Sequence, residues 1–79
     1  MDVYLGTIEL FAFNFAPRGW ALCDGSMLSE STYPELYKLI KTTYGGDESS
    51  TYQLPNLIGT EPYPYMKYYI ATYGQYPIL

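Results

Sequence analysis

The sequence predicts a small α+β domain, with a β-hairpin and a C-terminal strand in one antiparallel sheet packed with one helix. Three observations lead there. One stretch, and only one, repeats apolar residues at helical spacing,. The other apolar stretches alternate with period two or are rich in β-branched and aromatic residues, as strands are. Finally, 79 residues are enough for one core and too few for two,.

Taken in order, residues 3–13 (VYLGTIELFAF) set Ile8, Leu10 and Ala12 on one side and Thr7, Glu9, Phe11 and Phe13 on the other, which reads as a strand,. Asn14 to Gly19 is turn chemistry, with a Pro and a Gly close together, and Trp20 to Cys23 is a second strand closing a hairpin over 5–23,. Asp24-Gly25 ends it. A helix is expected near 33–43, because Thr32 and Glu35 have capping-box spacing and Pro34 falls in the first turn, where its missing N–H costs nothing,. Leu36, Leu39 and Ile40 form its apolar stripe, Lys38 and Lys41 suit its C-terminal end, and Gly45-Gly46 supplies a stop,. Asp47 to Ser50 is a polar loop, and Thr51 to Leu54 is a short strand ended by Pro55,. Residues 60–66 form a Pro-rich connector, and Met66 to Tyr73 (MKYYIATY) is the last strand, broken by Gly74,. The helix stripe needs a sheet face to cover it, so the predicted core is Ile8, Leu10, Trp20, Leu22, Leu36, Leu39 and Ile40.

Composition narrows the function. Eight Asp and Glu against four Lys and Arg give a net charge of −4, which lacks the cationic footprint that nucleic-acid binding requires,. There is no His, the residue most used as a general base and the commonest metal ligand,. The single cysteine, Cys23, has no internal disulfide partner and no His to activate it, so it reads as a buried structural thiol,. Asp24, Asp47 and Glu48 sit by glycine turns but lack calcium-loop spacing, and Gly45-Gly46 is followed by no Lys-Ser/Thr of a phosphate loop,. The expectation is a protein with no enzymatic activity, no metal and no cofactor. No apolar run reaches membrane-spanning length, and the acidic start does not resemble a signal peptide,.

The unusual feature is 48% hydrophobic and 19% aromatic residues, 11 of them Tyr, against only 15% charged. A small domain cannot enclose so much, and Tyr is enriched at interfaces, so burial is expected to be completed against other chains. Past Ser49 only Glu61 and Lys67 are charged, which leaves little to prevent edge pairing of the last strand,. The predicted assembly interface is Tyr63, Tyr65, Tyr68, Tyr69, Tyr73, Tyr76, Ile78 and Leu79.

Three runs carry a resemblance: GTIELFAFNFAPRGWALCDG (Gly6 to Gly25), LYKLIKTTYGGD (Leu36 to Asp47) and TYQLPNLIG (Thr51 to Gly59). Their ordered motifs resemble the phage tail collar domain, the N-terminal module of the microcystin-dependent-protein family and of bacteriophage tail fibres. YYIATYGQYP (Tyr68 to Pro77) is similar to the C-terminal segment of the same family. The chain then divides into a collar-like part (1–59), the connector (60–66) and the C-terminal strand (67–79). It departs from the family in three ways. Asn56 stands where Asp is usual, Ile58 where Arg is common, and Thr60 to Met66 replace a long Gly-, Ser- and Thr-rich region. In short tail fibres the receptor-binding head, with its histidine metal site, lies in or after the region shortened here, so the resemblance carries over neither that head nor that metal.

The resemblance implies a structural self-assembling subunit of a phage-tail-like fibre or extracellular filament, located in a virion tail or surface appendage. Its expected partners are copies of itself and other tail or appendage proteins, with no nucleic acid and no membrane span. The alternative is a tyrosine-rich adhesin that recognises carbohydrate or a cell-surface receptor.

Overall fold

The computed structural model describes residues 3–47 and 50–78. Its elements are β1 (Ile8–Phe11), β2 (Trp20–Leu22), β3 (Met27–Ser29), α1 (Pro34–Ile40), β4 (Thr51–Gln53) and β5 (Lys67–Ala71). All strand pairs are antiparallel, in a three-stranded sheet of order β1-β5-β2 and a two-stranded sheet β3-β4. The α+β class is therefore the one the sequence predicts, but the hairpin is not. β1 and β2 do not pair with each other, because β5 lies between them, with Ile70 opposite Ile8 on one side and Ala21 on the other. Period-two alternation identifies strands without naming their partners, and the doubly apolar run Tyr-Tyr-Ile-Ala is what a strand buried on both faces requires.

β5 divides the interior in two. On one face Ile70 joins Leu5, Cys23, Leu36, Tyr52 and Leu54, with Tyr68, Leu39 and Ile40 packed against them. On the other, Tyr69 and Ala71 join Trp20, flanked by Val3, Phe11 and Leu22. The predicted single core is thus two clusters: Leu36, Leu39 and Ile40 belong to the first, and Trp20 and Leu22 to the second. Ile8 is 38% exposed, and Leu10 is half-buried outside both clusters. The reason is topological. β1 is an edge strand, and the helix-side cluster draws on β5, α1, β4 and the residues just before β1 and just after β2, with no β1 residue among its members.

The helix is shorter than its sequence pattern. It begins at Pro34 after Tyr33, with no side-chain cap bond, so Thr32 does not act as the expected N-cap. It ends at Ile40, where Lys41 takes a φ of 47° and donates its N–H to the Tyr37 carbonyl (2.7 Å). Gly45-Gly46 lies further on and packs against β4 instead of stopping the helix.

Candidate functional site

The motifs that mark the sequence turn out to be structural devices. In Asn14–Trp20, Trp20 N–H donates to the Pro17 carbonyl (3.0 Å), and Gly19 takes the φ of 86° that the third position of this tight turn needs,. In Cys23-Asp24-Gly25, the Asp24 carboxylate accepts the Ser26 N–H (3.0 Å), and Gly25 N–H reaches the Pro55 carbonyl (3.3 Å). That locks the turn onto Leu54-Pro55-Asn56-Leu57, whose Leu57 N–H donates to the Cys23 carbonyl (2.9 Å). Asn56 keeps the local turn that an Asp would make, because its Oδ1 accepts the Ile58 N–H (3.2 Å). In Gly45-Gly46-Asp47, a Cβ on Gly46 would come within 2.6 Å of Tyr52 Cα, and Asp47 accepts the N–H groups of Ser50 (2.9 Å) and Thr51 (3.0 Å).

Each of these motifs holds a turn in place. Among the described residues no group of three His, Cys, Asp or Glu side chains could hold a metal ion, and no helix is long and apolar enough to cross a membrane. Cys23 is buried, and burial reinforced by the nearby Asp24 carboxylate pushes its thiol up to about 11, the reverse of an activated nucleophile,. Burial raises Tyr52 to about 12 and raises Tyr69 as well. Both hydroxyls serve as struts. Tyr52 Oη donates to the Tyr33 carbonyl (2.9 Å) and Tyr69 Oη to the Phe13 carbonyl (3.1 Å).

The predicted interface residues separate into two kinds. Tyr69 is 1% exposed and belongs to the second cluster, while Tyr68 is half-buried and packs against the first, so both contribute to the fold. Tyr63, Tyr65, Tyr73, Tyr76 and Ile78 are exposed, and Leu79 lies outside the described residues. They do not form one patch, since Tyr65 and Tyr73 flank opposite ends of β5. The edge-pairing premise is also corrected: β5 is paired on both sides and has no free edge.

The feature missed by the sequence reading is an aromatic stack running outward from the second cluster. Phe11 lies edge-on to Trp20 (5.1 Å between ring centres) and stacks on Phe13 (5.1 Å), which stacks on Phe15 (4.8 Å). Phe15 is 64% exposed. Beside it, a surface groove of about 390 Å³ is lined by Ala12, Phe13, Asn14, Pro64, Tyr65 and Lys67. The signal was present as Phe at 11, 13 and 15, a spacing that puts alternate rings on one side of an extended chain,. The result is a partly exposed aromatic surface, packed ring on ring from the core outward and bordered by the connector.

A family model described as the phage tail collar domain matches residues 6–62, well over half of the chain. No curated protein matches the sequence.

Proposed function

The chain belongs to the phage tail collar domain family, a structural domain of phage tail fibres, and on that premise we propose that it is a self-associating subunit of a tail-like fibre or a related extracellular filament. Its proposed partners are copies of itself and other tail or appendage proteins. The observation that carries this reading is the aromatic stack, with Phe15 standing 64% exposed on rings rooted in the core and Tyr65 84% exposed across the adjacent groove. Rigid aromatic anchors dominate interface energetics because they bury large area with little entropy loss. Tyr63, on the connector, is exposed as well, and Tyr76 and Ile78 offer further apolar surface past β5.

The test is the mass of the purified chain in solution by light scattering as concentration rises. Concentration-dependent association is expected. The double variant Phe15→Ser with Tyr65→Ser should weaken it while the unfolding midpoint stays near the parent's, because both side chains project from the core. A parent chain that remains monomeric at millimolar concentration overturns the proposal.

A second reading, the tyrosine-rich adhesin for carbohydrate or a cell-surface receptor, is favoured by one observation. Tyr73, 65% exposed, lines a pocket together with the exposed Arg18 side chain.

A further inference from the structure

We propose that the pocket between the Pro17–Trp20 turn and the Thr72–Gly74 turn is a binding site for an acidic monosaccharide unit, a sugar ring bearing one carboxylate. The proposal gives the adhesin reading its ligand class; it meets the aromatic stack only at Trp20, the ring on which the stack is rooted, and involves none of its exposed rings. The pocket has a volume of about 520 Å³ and is lined by Val3, Arg18, Gly19, Trp20, Tyr73 and Gly74. That size accommodates a sugar ring with water around it.

Each wall supplies a distinct part of the recognition. Arg18 has no ion-pair or hydrogen-bond partner among the described residues, whereas Lys38 on the helix is paired with Glu35. An exposed guanidinium beside a cleft presents parallel N–H donors that match the two oxygens of a carboxylate. Tyr73 is 65% exposed, and its ring is braced edge-on against Tyr33 at 6.0 Å, so it stands as a fixed aromatic face. The negative face of an aromatic ring attracts the polarised C–H groups on the apolar side of a sugar. Trp20, nearly buried, supplies an apolar lining.

The two turns are held in register before any ligand arrives. The N–H groups of Thr72 (2.8 Å) and Tyr73 (3.4 Å) both donate to the Gly19 carbonyl. Arg18 and Tyr73 are therefore fixed relative to each other at the backbone, which lowers the ordering cost of binding. The charge inventory selects the ligand further. A single cation in a chain of net charge −4 suits one carboxylate and disfavours polyphosphates and nucleic acid,.

Trp20 is the single tryptophan, so its fluorescence reports from inside the pocket. The full chain is titrated with glucuronate, glucose and acetate at constant ionic strength, and the amide spectrum is followed in parallel. Glucuronate is expected to give a saturable change, with shifts at Gly19, Gly74 and the Trp20 indole. Glucose and acetate should bind at least tenfold more weakly, since each lacks one half of the recognition. Arg18→Gln and Tyr73→Ala should each weaken glucuronate at least tenfold, and Tyr65→Ala should leave it unchanged. If Tyr73→Ala is poorly folded, Arg18→Gln decides alone. No saturable change, equal binding of acetate or glucose, or an Arg18→Gln variant that binds like the parent would each overturn the site. None of these outcomes bears on self-association, which is read separately from the mass in solution.

Discussion

Cys23, Tyr52 and Tyr69 show how single residues couple this fold to pH. Each is an acid held neutral by burial, with Cys23 pushed up to about 11 and Tyr52 to about 12. An acid whose ionisation is suppressed in the folded state contributes its full stability below its ordinary pKa, and loses it as pH rises and the unfolded chain ionises first. Stability should therefore hold to about pH 8 and fall from about pH 9 through Cys23, then more steeply above about pH 10 through the two tyrosines,. Urea midpoints measured from pH 7 to 11 check this, and Cys23→Ala should flatten the first part of the decline. A parent midpoint that stays constant from pH 8 to 11 would contradict it. The burial of Cys23 was legible in the sequence, because a lone thiol in an apolar segment without a His has little else to do. The exposure of Phe15 was not, since hydrophobicity alone says inside.

At the scale of elements, the helix illustrates a local signal overruled by its surroundings. Thr32 and Glu35 have capping-box spacing, yet the residue before the helix is Tyr33, whose backbone makes no side-chain capped entry. Its carbonyl accepts both the Tyr37 N–H (3.2 Å) and the Tyr52 hydroxyl (2.9 Å), which ties the first turn of α1 to β4. The tertiary bond fixes the entry that the capping box was expected to fix. Thr32→Ala should accordingly change stability by less than about 0.5 kcal/mol, whereas loss of a true N-cap costs about 1 kcal/mol. A denaturant titration showing a loss of about 1 kcal/mol or more would restore the capping role. The Lys38–Glu35 pair at 3.7 Å joins two well-exposed side chains and adds little,. β3 escaped the sequence reading because Met-Leu-Ser is three residues long, too short for any period to show, and it forms only through its register with β4.

For the whole molecule, the decisive fact is that the last strand in sequence is the middle strand in space. The residues matched by the collar family end at 62, and β5 begins at Lys67. β1 and β2 have β5 as their shared partner in the sheet, and both buried clusters contain β5 residues. The N-terminal segment is also tied to the chain beyond β5, with Leu5 N–H donating to the Gln75 carbonyl (2.9 Å) and Gln75 N–H to that of Val3 (2.9 Å). The collar-like part is thus two edge strands, a small sheet and a short helix completed by a segment that lies beyond them in the chain. Closing such distant pairs is entropically costly and is offset only when the two clusters form together. A chain ending at residue 66 should therefore be unfolded, with a collapsed amide spectrum, and a synthetic peptide of residues 67–79 should restore dispersion when added. Removing Tyr63 to Leu79 to test assembly would for the same reason remove the fold, so association must be probed by substitution at exposed rings. A dispersed spectrum for residues 1–66 alone would show that β1 and β2 find another arrangement, and that β5 is an addition to the collar fold and not its centre.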